Sequence, residues 1–201
     1  MAEPQRQRQR LAPEARRQLL LDTAEHAFAT TGYAQLGLAD VAGAAGVSKT
    51  LLYHYFPDGR PELYAAVISR LATEAVDAVR VAADAPLRTE RRLGGVIDAL
   101  LSFFERHPTA YRLIVVEPWG TGEPVIVAAA LALRANLAIE VARLVASTLQ
   151  PLDRTTAGAN LAVATILQVC ELRTTGEVGG EEARELAGAF VRGGLGALDL
   201  L

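Results

Sequence analysis

The sequence predicts an all-α chain, and three observations predict it. Apolar residues recur at three- and four-residue spacing through most of the 201 residues. Proline and glycine clusters interrupt that pattern at helix-length intervals, and no segment alternates as a half-buried strand would. A hydrophobic fraction of 51% marks a core-rich folded protein and excludes a disordered one.

The elements follow in order. Met1 to Arg10, MAEPQRQRQR, is polar and basic and reads as a flexible basic arm over residues 1–12. A helix is expected from Pro13, whose ring suits a first-turn position, to about Thr31, with Leu20, Ala24, Ala27 and Phe28 on one face. Gly32 ends it, Tyr33 and Leu36 dock the connection, and Gly37 serves as the next N-cap. After Phe56, the loop Pro57-Asp58-Gly59-Arg60-Pro61 precedes a long helix to about Ala83, carried by Leu63, Val67, Ile68, Leu71, Ala75 and Val79. A further stripe runs from Leu93 to His107 and stops at Pro108. A short segment from Thr109 to Val116 leads into a loop at Glu117-Pro118-Trp119-Gly120. Three helices complete the chain, near Glu123–Gln150, Arg154–Thr175 and Gly180–Leu200. The organisation expected is the arm, a small domain over residues 13–60, and a larger helical domain over residues 61–201.

Asp40 to Phe56, DVAGAAGVSKTLLYHYF, carries the most specific signal. Val41, Ala42 and Ala45 give a short amphipathic helix, Gly46 supplies the positive φ of a sharp stop, and Ser48 can cap a second short helix. Two short helices joined by a glycine turn are the outline of a helix-turn-helix, whose second helix enters the major groove of DNA. Helical spacing turns Val47, Leu52, Tyr55 and Phe56 inward and Lys49, Thr50, Tyr53 and His54 outward. An ammonium for phosphate or guanine, hydroxyls for phosphate and a threonine methyl for thymine make that outward set suited to double-stranded DNA. Leu51 can pack back on the first helix or touch a thymine methyl.

With these residues and the Gly32-Tyr33 ending of the first helix, the sequence resembles the TetR family of bacterial transcription regulators over about 60 residues. The resemblance implies an N-terminal three-helix DNA-binding domain and a C-terminal helical domain for a small-molecule effector. It also implies a homodimer paired through the last two helices, most often a repressor released from its operator by the ligand. It adds Ser48, Tyr33 and Arg60 to the candidate DNA contacts. Where members often carry Thr, Ser or Arg, this chain has Leu36, Gly37 and Ala39, and Thr50-Leu51 replaces a frequent Gly-Thr. Lys49, Thr50, Tyr53 and His54 are therefore expected to carry most of the recognition, aided by the basic arm.

Charge and cysteine bound the rest. The net charge is −3, yet residues 1–60 carry +1 and the remainder −4, so positive charge gathers at the end that holds the motif. One cysteine excludes an intramolecular disulfide, and three histidines without paired spacing argue against a transition-metal site. No cofactor is expected. The apolar run Val125–Leu133 is too short for a bilayer, which makes the cytoplasm the expected compartment. Polar residues set among apolar neighbours after residue 88 are the pocket candidates: His107, Tyr111, Trp119, Asn136, Gln168, Cys170 and Glu171, with Glu140, Asn160 and Thr165 beside them. Their sparse charge suggests a largely hydrophobic ligand. In the last helix Ala183, Ala187, Phe190, Gly194 and Ala197 form one stripe with Gly193 and Gly196 adjacent, as a closely approached dimer helix would. Two other readings are an enzyme on a helical bundle and an adaptor that does not bind DNA. No HExxH, GxSxG or glycine-rich phosphate loop supports the enzyme.

Overall fold

The computed structural model describes residues 12–146 and 152–201. The arm, but for Ala12, and the connection 147–151 lie outside the described residues. Among those described there are eight α-helices and no strand, as expected: α1 (Pro13–Thr31), α2 (Leu38–Ala44), α3 (Lys49–Tyr55), α4 (Arg60–Ala83), α5 (Thr89–Arg106), α6 (Pro124–Val145), α7 (Leu152–Thr174) and α8 (Gly180–Ala197). The chain divides into two compact units inside α4, between Val67 and Ile68, whereas the expected domain boundary coincides with the start of that helix.

The first unit is built from local signals. Gly32 (φ 83°) closes α1 and donates its N–H to Phe28 O at 2.8 Å. Leu20, Leu21, Ala24 and Phe28 of α1 are buried, and Phe28, Tyr33 and Tyr64 form an aromatic cluster with ring centroids 4.6 to 6.2 Å apart. Gly37 caps α2 without a side chain. Asp40 compensates by accepting the Gly37 N–H at 3.0 Å, which satisfies one otherwise unpaired donor of the helix start.

The second unit rests on long helices. α6 packs on α7 and buries Ile126, Leu133, Leu137, Val141 and Leu144, and α7 packs on α8. The run Val125–Leu133 lies within the longer α6, which by length and composition alone is long and apolar enough to cross a membrane, a test that a core helix also passes. Its buried residues reach from Ile126 to Val145. The tetrapeptide Glu117–Gly120, expected as a loop, is a 3-10 turn, and Arg112–Val116 before it is a π-helical turn. Pro118 fits the turn because a first-turn residue has no partner for an N–H.

One expectation for α8 needs correction. Ala183, Ala187, Gly188, Val191 and Leu195 are buried, whereas Phe190 (66% exposed), Gly194 and Ala197 face outward. The expected stripe therefore straddles two faces, because α7 and α5 pack against its flank and not its centre. At the far end of α8 the chain folds back on α7, where a Cβ at Gly158 would lie 2.6 Å from Leu200 Cδ1.

Candidate nucleic-acid interface

The turn between α2 and α3 forms as its residues dictate. Gly46 takes φ 65°, its N–H donates to Gly43 O at 3.1 Å, and the Val47 N–H donates to Ala42 O at 2.9 Å. Ser48 Oγ accepts the Leu51 N–H at 3.1 Å, so the hydroxyl caps α3. Leu52 and Phe56, both essentially inaccessible, anchor the inner face, with Val47 and Tyr55 half-buried beside them. Leu51 is half-buried.

Lys49, Thr50, Tyr53 and His54 stand exposed on the outer face of the capped helix. They are not independent. The Lys49 ammonium lies 5.7 Å from the centre of the Tyr53 ring, and His54 meets Tyr55 edge-on at 5.5 Å. Gly59 packs beside the Tyr53 ring, where a Cβ would make an ordinary contact at 3.6 Å, so it is the positive φ of 80° that favours glycine there. The face thus presents an ammonium, a hydroxyl, a phenol and an imidazole on one short, rigid segment, the chemistry that contacts phosphates and base edges.

The remaining candidates on this unit are placed differently. Ser48 is exposed, with its hydroxyl committed as an acceptor to the helix cap. Tyr33 is 4% exposed, with its ring inside the aromatic cluster. The Arg60 guanidinium lies over that ring at 4.3 Å and turns Nη1 towards the carbonyls of Tyr33, Ala34 and Leu36, at 3.1, 3.4 and 3.3 Å.

In the second unit the pocket candidates separate. Tyr111 is buried, and burial, reinforced by the charge of Glu171 to which it is hydrogen-bonded, raises its phenol well above the ordinary range. Gln168 donates to Glu171 at 2.8 Å, so these three residues form one cluster. Trp119 is 47% exposed, its indole N–H donates to Val115 O at 2.7 Å, and the Arg134 guanidinium lies 5.6 Å from its ring. Cys170 is buried against a cavity of about 200 Å³ lined also by Leu101, Phe104 and Arg173. Burial pushes its thiol up to about 12, which leaves it a protonated, unreactive group. His107 stacks on Phe103 and approaches Glu74 at 3.7 Å. Asn136 lines a separate groove of about 220 Å³ with Thr73, Val76 and Leu133. Asn160 and Thr165 bond back to the carbonyls of Thr156 and Leu161 on their own helix.

Glu140 has a structural explanation that the sequence could give only in part. It is 6% exposed and accepts from Arg80 at 2.8 Å and from Arg143 at 2.6 Å. Those arginines also pair with Asp77 and Asp84, which ties the end of α4 to α6. Burial would raise the Glu140 carboxyl, but the hydrogen bonds from Arg143 and Arg80 outweigh it and hold it below the ordinary range.

Comparison with known proteins agrees with this geometry. Residues 20–67, which span the two short helices and the start of α4, match the model of bacterial regulatory proteins, tetR family. The chain is 36% identical over 119 residues to the HTH-type transcriptional activator FasR of Mycolicibacterium smegmatis, a match covering 59% of this chain and 53% of that protein. It thus spans about half the length of that relative. Among solved structures, a TetR-like transcriptional regulator from Rhodococcus sp. RHA1 superposes with a TM-score of 0.72 at 25% identity, covering 92% of this chain and 98% of that one. A putative transcriptional regulator from Pseudomonas aeruginosa PAO1 reaches a TM-score of 0.78 at 18% identity, with coverage of 94% and 95%, and shares the fold.

Proposed function

We propose that the chain, whose residues 20–67 match the model of bacterial regulatory proteins, tetR family, is a homodimeric, cytoplasmic transcriptional regulator whose hold on operator DNA is set by a small, largely hydrophobic effector. The observation that carries this reading is the outer face of α3, where Lys49, Thr50, Tyr53 and His54 stand exposed on a helix capped by Ser48 and anchored by Leu52. Lys49 and His54 serve phosphates or guanine, and Thr50 and Tyr53 add hydroxyls and apolar edge contacts. The basic arm over residues 1–12 supplies further phosphate contacts.

The dimer forms through α7 and α8. Supporting it, Leu161 (64% exposed) and Phe190 (66% exposed) border a shallow apolar groove with Gly158, Thr165 and Gly194. The outward Gly193, Gly194 and Gly196 let a partner helix approach closely. A twofold axis there presents two α3 helices to successive major grooves, roughly 34–36 Å apart. The effector enters the second unit, with Tyr111, Trp119, Gln168, Cys170 and Glu171 as its first candidate contacts and His107 and Asn136 as the others. α4 carries residues of both units in one continuous helix and is the element through which occupancy alters DNA affinity.

The sign of regulation has two readings. Most often, a regulator of this type represses and is released by its ligand. Activation is favoured by one observation, the name of the relative from M. smegmatis, a transcriptional activator. A reporter fused downstream of the bound site, with the regulator deleted and restored, decides between them.

Selection from random DNA followed by titration at several salt concentrations tests the core of the proposal. Affinity for the selected duplex falls steeply as salt rises if phosphates are neutralised. Lys49→Ala and Tyr53→Phe should each weaken it by about 1–3 kcal/mol. Wild-type affinity in both variants would place recognition elsewhere.

A further inference from the structure

Arg60 opens α4, and its side chain does something that its position next to the motif would not suggest. A guanidinium beside a recognition helix ordinarily serves phosphate. Here Nη1 points at three backbone carbonyls, those of Tyr33, Ala34 and Leu36, at 3.1, 3.4 and 3.3 Å. The guanidinium carbon also lies over the Tyr33 ring, 4.3 Å from its centre. Tyr33 in turn is 4% exposed and packs on Phe28 and Tyr64.

The chain explains why such a clasp has something to hold. Gly32, at φ 83°, turns the backbone sharply out of α1, and the following residues reach Gly37, the N-cap of α2, through bonds of their own as well as those to Arg60. One of those bonds runs from the Leu36 N–H to Gly32 O at 3.2 Å. Carbonyls that leave a helix end in this way converge and attract a cation. Gly37 gives α2 no side-chain cap, so the start of α2 depends on what fixes the connection before it. α3 follows α2 after a single tight turn, and any rotation of the connection is carried to the recognition face.

We propose that Arg60 is a positioning residue for DNA binding: its guanidinium clasps the α1–α2 connection to the first turn of α4 and thereby sets the direction in which α2 and α3 leave it. This rests on the DNA-binding reading above and assigns Arg60 a role different from phosphate contact. The clasp needs a planar group with several donors and a stacking face. Lysine keeps the charge and has three N–H donors, but it gathers them on one tetrahedral nitrogen and offers no planar face to Tyr33.

The test compares Arg60→Lys and Arg60→Met with the wild type, on the duplex that the wild type selects from random DNA. Binding is read across a salt series at a temperature where circular dichroism shows each protein folded. Both variants should lose affinity by on the order of tenfold, while the slope of log affinity against log salt stays at the wild-type value. Amide exchange at Leu36 and Asp40 should quicken in both, with the middle of α1 unchanged. A near-wild-type Arg60→Lys together with an Arg60→Met slope reduced by about one would overturn the clasp in favour of a phosphate contact. Unaltered affinity in both folded variants would also overturn it. Arg60→Lys, which keeps the charge, holds the test open if Arg60→Met does not fold. A wild type that selects no duplex overturns the functional reading, and this role with it.

Discussion

α3 and α6 use polarity in opposite directions. α3 has seven residues, buries Leu52, and shows its polar side chains to solvent. α6 has 22 residues, buries a glutamate among arginines, and shows solvent an apolar side that includes Val125, Leu131 and Ile139. In α3 the polar contacts found among the described residues are local, Lys49 with Tyr53 and His54 with Tyr55, and leave the outer face exposed, which is why it points to a partner. In α6 Glu140 and Arg143 are accounted for by each other and by Arg80 and Asp84, and Arg134 by Trp119. An exposed polar face is evidence of function only after its internal partners have been accounted for.

Four measurements would break or sharpen this contrast, beginning with the largest effect. Leu52→Ala removes the inaccessible anchor of α3 and should lower unfolding free energy by about 3 kcal/mol in chemical denaturation. A loss under about 1 kcal/mol would mean that the inner face does not hold the helix.

Glu140→Ala comes next, at about 2 kcal/mol, because it leaves two half-exposed arginines without their shared acceptor. Its acid profile carries a sign. The folded carboxyl titrates below its ordinary value of 4.5, so the stabilisation is complete above that pH and is lost as pH falls through the lower folded value. Subtracting the melting curve of Glu140→Gln from that of the wild type isolates this part from Asp84 and Glu105, which arginines also hold low. A difference that persists undiminished at the acid end would show that the ion network is not its source.

Ser48→Ala should cost about 1 kcal/mol through the lost cap, and Ser48→Thr should recover most of it. Smallest of all, Lys49→Ala and Ile139→Gln should leave the unfolding free energy within about 0.5 kcal/mol of wild type. For Lys49 that neutrality must coincide with weaker DNA binding. A large stability change there would erase the distinction between the two helices.

The sequence discloses what short-range chemistry decides. Gly32, Gly46 and Ser48 act on backbone groups within a few residues, so the ends of α1, the turn and the start of α3 appear where their residues place them. The outward set on α3 is legible for the same reason, since one turn of helix relates its members. What depends on distant neighbours is not legible. Arg143 is three residues from Glu140 and could be paired with it by spacing, but Arg80 reaches it from 60 residues away. The carbonyls that hold Arg60 come from 24 to 27 residues earlier. In α8 both flanks of the helix are apolar, and only packing against α7 and α5 decides that Val191 faces in and Phe190 out. The pocket candidates scatter because a polar residue among apolar neighbours has several fates. Tyr111 finds Glu171, Trp119 bonds a carbonyl of its own turn, and Asn136 lies in a different groove.

The fold-back of Leu200 onto Gly158 bears on how this protein can be handled at the bench. The leucine is a key and the bare glycine its lock: Gly158→Ala would push the side-chain ends of Leu200, Leu198 and Leu195 aside. A fluorescent tag attached after Leu201, which is 44% exposed, should therefore be joined through a linker. Trimming the chain before Leu200 would instead open a greasy notch in α7, one turn from Leu161 on the face proposed to meet a second copy, and would confound any assay of assembly.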